Sequence, residues 1–318
     1  MRAEYKRGGL MEVKLRTCFF FLFFAASLKT DAATAVWIDT DPSLGPPWRE
    51  VDDAFALLLA FKSPELRIAG ISTSYGNASV QRTTAVACDL TKRFGGTTRV
   101  YRGAASPAER GRETEASRAL AETLRRESSL TYVALGPLTD LATLQQLHPQ
   151  LARKIDRILI LGGKSARGAI RLGPRGWPHV HDANIFKDPA AAEAVLHFGT
   201  PIALVPIEVA QRLTTSSADW REIEGGAAGE YLRPRTWAWR WFWTKFVGAK
   251  GAPVFDVLPI AAVLRPDLVS VKKRYASFDA QGELIFEAQP HSRDAIRVDV
   301  ITNFDAKAKE LFVRRLAQ

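Results

Sequence analysis

Residues 36–60, VWIDTDPSLGPPWREVDDAFALLLA, constrain the fold more than any other stretch. Apolar and β-branched residues run into Asp39, Thr40, Asp41 and Pro42. A Gly/Pro-rich loop follows, and Val51, Asp52 and Asp53 open an amphipathic, Ala/Leu-rich segment. This order reads as a buried strand, a loop and a helix N-terminus. Four carboxylates, Asp39, Asp41, Asp52 and Asp53, would then gather at the carboxyl end of one strand. Carboxylates so close repel one another unless a cation or shared protons neutralise them. An all-oxygen set suits a hard cation such as calcium or magnesium. The plainer alternative has Asp52 and Asp53 capping the helix and Asp39 and Asp41 as polar loop residues.

Strand-like and helix-like segments alternate through the rest of the chain. LRIAGISTSYGN reads as a second strand ending in a turn, and VQRTTAVACDLTKRFGG as a helix stopped by Gly95 and Gly96. RVYRG is a short strand, and residues 113–128 are polar and helical. TYVALG and DRILILGG are apolar strands; between them PLTDLATLQQLHP starts a helix with Pro137 in its first turn. Residues 164–183 form a long Gly/Arg-rich loop, DPAAAEAVLHFG a helix with an Asp cap, and TPIALVPIEV another strand. The strands are continuous apolar runs, which favours an α/β fold: a mostly parallel sheet with helices on both faces. In such sheets ligands sit beyond the carboxyl ends of the strands, where the Asp cluster lies. SVKKRYASFD and AIRVDVITNF read as a small antiparallel hairpin near the C-terminus, and AKAKELFVRRLA as a closing helix. With no repeat and no linker, one domain over residues 36–318 is expected.

A net charge of +10 is compatible with nucleic-acid binding, but Lys and Arg are scattered among acidic residues rather than massed in blocks. No nucleic-acid partner is expected. Residues 1–35 read as a secretory signal peptide: Lys6, Arg7, Lys14 and Arg16, then TCFFFLFFAASL, then DAATA. Cleavage after Ala33 or Ala35 would release a secreted or periplasmic protein without stable membrane association; an uncleaved anchor is the alternative. Cys18 falls in that segment, so Cys88 would stand alone in the mature chain, as a buried structural thiol.

Residues 227–248, AAGEYLRPRTWAWRWFWTKFVG, crowd Trp237, Trp239, Trp241, Phe242 and Trp243 together. The run fits a strand face or an aromatic helix. Its role is packing, a subunit contact in a homo-oligomer, or an aromatic lid stacked over a nucleobase.

Six motifs in order carry a resemblance to the inosine–uridine-preferring nucleoside hydrolases. Asp39-Thr40-Asp41-Pro42 and Asp52-Asp53-Ala54-Phe55-Ala56-Leu57 resemble the family's D-x-D-P-G-x-D-D-A-x-A-L, with SLGPPWREV inserted where the family has two residues. The insertion brings Trp48, Arg49 and Glu50 towards the site. Ser74-Tyr75-Gly76-Asn77 resembles the second-strand G-N element, and Leu135-Gly136-Pro137-Leu138-Thr139-Asp140 the G-P-L-T-N turn. Leu161-Gly162-Gly163 resembles M-G-G. Asp182-Ala183-Asn184 and Asp188-Pro189-Ala190-Ala191 resemble E-F-N and D-P-E-A-A, and Pro253-Val254-Phe255-Asp256 resembles P-V-H-D.

The resemblance implies Ca²⁺ held by Asp41, Asp53 and Asp256 and by the backbone oxygen of Leu135. It implies a small ribonucleoside as substrate, with Asp41 as general base on an attacking water. Asp52, Asn77, Asp182 and Asn184 would hold the ribose hydroxyls. On their own, Asp256 reads equally as a helix cap, Asn77 as a turn residue, and Asp182 and Asn184 as helix-entry residues. Two departures stand out. Asp182 is one methylene shorter than the family's Glu. Phe255 replaces a residue that is often His, and Phe cannot protonate a departing base. His179 and His181, just before Asp182, are then the candidate leaving-group donors, with Glu50, Arg49 or water behind them. The alternatives to a nucleoside hydrolase are a hydrolase of another N-ribosyl compound and a ribosyl-binding protein with little catalysis.

Overall fold

The structure is a computed structural model that describes residues 33–45, 49–168, 170, 174, 180–290 and 292–318. The signal-peptide segment up to residue 32, Cys18, Trp48 and His179 lie outside the described residues.

The chain lays down β1 (Thr34–Thr40), β2 (Leu66–Thr73), β3 (Val100–Arg102), β4 (Leu130–Ala134), β5 (Ile155–Leu161), β6 (Lys164–Ser165) and β7 (Ile202–Val205). The short β8 (Thr214–Thr215) and β9 (Ala252–Pro253) pair with each other, and β10 (Val269–Phe278), β11 (Leu284–Glu287) and β12 (Ile296–Phe304) follow. Among the described residues the main sheet has the order β3-β2-β1-β4-β5-β7-β12-β10-β11-β6. The pairings from β3 across to β12 are all parallel. The chain winds outward from β1 to β3, then returns to the other side of β1 with β4. Strand order therefore reverses between β1 and β4, and a crevice opens there beyond the strand ends.

β1 shows how the core is divided. Val36 and Ile38 face one apolar cluster, and Trp37 faces the other. The first cluster packs under α1 (Asp52–Phe61), the helix Val257–Leu264 and the C-terminal helix Lys307–Ala317. After α2 (Val80–Phe94), the helices α3 (Glu115–Arg126) and α4 (Thr139–Leu147) join Pro189–His197 over the second cluster. The helices thus cover both faces, as a mostly parallel sheet requires.

Three expectations need correction. α1 is not amphipathic in place, because every residue from Asp52 to Ala60 is buried between the sheet and neighbouring helices. SVKKRYASFD and AIRVDVITNF do pair antiparallel, as β10 and β12, but they are not a hairpin. A turn at Asp279 reverses the chain first: its Oδ1 accepts the backbone N–H of Gln281 and of Glu283, both at 2.9 Å, and Gly282 sits at φ 76°. The hairpin is therefore β10–β11, and β11 runs on to pair in parallel with β6. Cys88 is exposed, not buried, because the inward stripe of α2 is Val80, Thr83, Ala87, Leu90 and Thr91, and residue 88 lies about 100° round the helix from Ala87.

Of the two forms open to the Trp-rich run, it takes the helix, Ala227–Trp241, continued by a π turn Phe242–Phe246. Trp239 and Trp243, four residues apart, are buried edge to face at 5.4 Å, while Trp237 is 63% exposed. Trp243 packs behind Phe255 at 6.3 Å. The run is packing and surface, not a lid, because helical spacing turns its buried aromatics towards the core. Among the described residues no helix is long and apolar enough to cross a membrane.

Candidate active site

The floor of the site is stitched together where β1 meets α1. Asp53 Oδ1 accepts Thr40 Oγ1–H at 2.5 Å and the backbone N–H of Asp41 at 3.0 Å. Its Oδ2 accepts Asn77 Nδ2–H at 3.0 Å. Asn77 also donates its backbone N–H to Asp41 Oδ2 at 2.8 Å and its amide to Asp41 Oδ1 at 3.2 Å. Gly76 is needed beside it, since a Cβ there would overlap Asp41 Oδ2. Asp256 opens the helix Val257–Leu264 yet makes no side-chain cap. Its carboxyl turns instead to Asp52 and Asp53, and one oxygen of each of the three lies within 4.8 Å of the others. Asp52 Oδ2 accepts the backbone N–H of Asp256 at 3.3 Å, while Asp52 Oδ1 is buried without a partner.

Burial raises the proton affinity of every carboxyl here, and mutual repulsion adds to it. Asp41, Asp52 and Asp256 stand well above the ordinary carboxylate range, first through burial and then through their acidic neighbours. Burial raises Asp53 as well, against the hydrogen bonds from Thr40, Asp41 and Asn77. An orphaned oxygen among crowded carboxyls, all oxygen donors, fits a hard divalent cation.

The gathering expected from the sequence is only partly what forms. Asp39 is not in it. Asp39 lies on the Trp37 face of β1, where its Oδ1 accepts Ser72 Oγ–H at 2.6 Å, and burial followed by the charge of Asp140 raises its pKa to about 8. Asp41 is gathered with Asp52, Asp53 and Asp256: its Oδ1 shares the Asn77 amide with Asp53 Oδ2, and its charge acts on Asp256.

Above the floor lies a cavity of about 490 Å³. Asp52, Asn77, Leu135, Asp182, Asn184, Phe255 and Asp256 all line it, as does His181. Asn184 Nδ2 donates to the carbonyls of Leu135, at 3.0 Å, and Leu161, at 3.1 Å. It thereby ties the ends of β4 and β5 together. Asp182 caps the short helix Ala183–Phe186 through Oδ1, and its Oδ2 accepts the backbone N–H of Gly163 at 2.6 Å. Burial holds Asp182 at a pKa of about 6 despite those bonds. Both residues therefore have helix-entry or backbone-bracing work in addition to a place on the cavity wall.

Lys187 belongs to the site without having been singled out, whereas Glu50 was expected towards it and is there. Glu50, from the first-loop insertion, lines the cavity, and burial raises its pKa. Its nearness to Asp52 in sequence was the available signal. The Lys187 ammonium is 4.0 Å from Asp41 Oδ2 and offsets part of the acidic crowding. Nothing local marks it, because only the fold of Ala183–Phe186 points it back at β1.

A family model described as inosine-uridine preferring nucleoside hydrolase matches residues 36–310. The pyrimidine-specific ribonucleoside hydrolase RihA of Enterobacter sp. (strain 638) is 28% identical over 281 residues, covering 79% of this chain and 85% of its own. Uridine nucleosidase 1 of Arabidopsis thaliana is 30% identical over 276 residues, covering 77% and 78%. A plant nucleoside hydrolase has the same fold at a TM-score of 0.77 and 24% identity, covering 90% of this chain and 99% of that one. A purine-preferring ribonucleoside hydrolase from Gardnerella vaginalis gives a TM-score of 0.75 at 20% identity, covering 89% and 98%. With the family model matching residues 36–310, most of its length, the chain belongs to the inosine-uridine preferring nucleoside hydrolase family.

Proposed function

We propose that this chain is an exported, calcium-dependent ribonucleoside hydrolase that yields ribose and free base. The observation that carries the reading is the trio Asp52, Asp53 and Asp256 on the floor of a cavity that Asn77, Asp182 and Asn184 also line. These three carboxyls, with Asp41 and the Leu135 carbonyl, would hold the calcium ion. Once bound, it supplies positive charge that offsets the crowded carboxylates and acidifies water beside it.

The chain's own residues do the rest. Asn77, Asp52, Asp182 and Asn184 hold the ribose hydroxyls, with Asp52 and Asn77 on the 2′ side. When the ribose takes over the Asn77 amide, Asp41 is uncovered and accepts a proton from the attacking water as general base. Water adds to C1′ as the N-glycosidic bond breaks, through an oxocarbenium-like transition state. Phe255 packs against the sugar or base but donates no proton. Segment 1–33 acts as an export signal, and the domain works outside the cytoplasm.

The test is to incubate the mature protein with a panel of nucleosides, uridine and inosine first, and to measure free ribose and base with calcium and with chelator. Hydrolysis that requires calcium supports the reading. Full activity in chelator-treated protein would remove the calcium, and no ribose from any nucleoside would remove the hydrolase.

A further inference from the structure

At the mouth of the cavity, far from the acidic floor in sequence, three charged side chains form a chain of contacts. His181 Nδ1 is 2.8 Å from Glu283 Oε1, and Glu283 Oε2 pairs with Lys164. Glu283 and Lys164 are buried, whereas the His181 side chain is about half exposed and lines the cavity. The His181 ring also stacks on Phe186, with centroids 4.7 Å apart and planes 16° apart. Burial alone would raise Glu283, but its bonds to Lys164 and His181 outweigh burial and hold it below the ordinary carboxylate range. The sheet creates this meeting: β11 pairs in parallel with β6, Ile285 opposite Lys164, which brings Glu283, two residues earlier, within reach of the Lys164 ammonium.

We infer that Glu283, braced by Lys164, is the positioning residue for His181 as the donor of a proton to the departing base. The inference rests on the hydrolase reading above. An ionised carboxylate facing Nδ1 holds a proton on that nitrogen throughout, so the doubly protonated ring gives up its other proton, from Nε2, and is left as the neutral Nδ1–H tautomer. Stacking on Phe186 fixes the ring plane. The balance is complete. As the C1′–N bond breaks, its electron pair stays with the base, and His181 Nε2–H gives that base a proton. Water supplies hydroxyl to C1′ and its other proton to Asp41. His181, half exposed, regains its proton from solvent as Asp41 returns its own. An acid so placed supports substrates whose base leaves poorly as an anion, which is the case for ordinary purine and pyrimidine nucleosides. It therefore supplies what Phe255 cannot.

The experiment compares a natural nucleoside with a nitrophenyl riboside, whose leaving group needs no proton, and reads the ratio of the two kcat/KM values. His181→Ala should lower that ratio about a hundredfold, within the range of general-acid contributions. Glu283→Gln should lower it at least about tenfold, and the double variant should lose no more than His181→Ala alone, since the two act as one unit. Should Glu283→Gln fail to fold, His181→Ala with Lys164→Met, read the same way, carries the test. An unchanged ratio in His181→Ala and Glu283→Gln, whether absolute rates fall or not, overturns the inference and leaves the hydrolase reading intact. If the wild-type protein cleaves neither substrate, the hydrolase reading fails and takes the inference with it.

Discussion

Calcium should bind this protein with an affinity that climbs with pH, and the acidic trio sets the scale. One oxygen of each of Asp52, Asp53 and Asp256 lies within 4.8 Å of the others. At an effective dielectric near 20, each like-charged pair at that distance costs about 3.5 kcal/mol, so full ionisation of the trio costs about 10 kcal/mol. That rivals the whole folding stability of a domain, roughly 5–15 kcal/mol. The cation-free protein must therefore keep about one proton or more on the trio near pH 7. The sign follows from the raised folded-state affinities of Asp52, Asp53 and Asp256. A native state that binds protons more tightly than the unfolded chain loses stability as pH rises above the ordinary carboxylate range. Calcium cancels that loss, so its stabilisation grows with pH. Releasing about one proton on binding makes calcium affinity rise about tenfold per pH unit between pH 6 and 8. At a calcium concentration a hundredfold above Kd, the gain is about 2.7 kcal/mol, which shifts Tm by about 5 °C for a domain of this length. Isothermal titration in two buffers of different ionisation enthalpy, at pH 6, 7 and 8, counts the protons directly. Asp256→Asn should cut both the proton count and the pH slope by half or more. A flat affinity across that range, with no proton released, would refute the idea that these carboxyls share one cation.

Three further outcomes are expected. A ribonucleoside should be cleaved at least about a hundredfold faster than its 2′-deoxy counterpart, because Asp52 and Asn77 would be left unpaired, and equal rates would move them off the sugar. Asp188 is buried between Arg110, Thr139 Oγ1–H at 2.8 Å and the backbone N–H of Ala191 at 3.0 Å, so Arg110→Ala should destabilise the fold by about 2 kcal/mol in urea titrations, discounted because Arg110 is about one-third exposed. Finally, β1 begins at Thr34, whose N–H donates to Glu65 O at 2.9 Å, so export processing should leave Thr34 as the first residue; a mature N-terminus at Val36 by mass spectrometry would contradict this by cutting into the strand.

What could be read from the chain is what it encodes locally. The strand, loop and helix around Asp41, Asp52 and Asp53 are contiguous, so their residue types announce the turn and its charge together. Helix caps were equally plain, as at Asp188, whose side chain accepts the backbone N–H of Ala191. Strand alternation alone would set Asp39 and Asp41 on one face, but β1 ends at Thr40, so Asp41 turns to the floor while Asp39 stays with Trp37 and Ser72. α1 looked amphipathic because two acidic residues precede an apolar run, yet burial of a helix on all sides depends on what covers it, here the helix Val257–Leu264 some 200 residues later. β6 and β11 are two and four residues long, too short for any periodicity to reveal.

That division has a consequence for how the site is built. The floor is assembled from the segments that follow strands β1, β2 and β4, close to the point where strand order reverses, together with Asp256 at the start of the helix Val257–Leu264, and its chemistry is largely acidic and oxygen-rich. The outer wall comes from elsewhere: His181 from the loop after β6, and Glu283 from the β10–β11 turn, 102 residues away from it. On the proposed reading, a ribosyl group and its cation would meet the floor and the base would meet the wall. Changes in the β10–β11 turn or in residues 180–186 alter the leaving-group end while the strand ends that hold the sugar stay in register. Loss of a proton-donating side chain at position 255 can thus be offset from another part of the fold without rebuilding the floor. The same separation makes leaving-group dependence, rather than calcium affinity, the property that reports on His181 and Glu283.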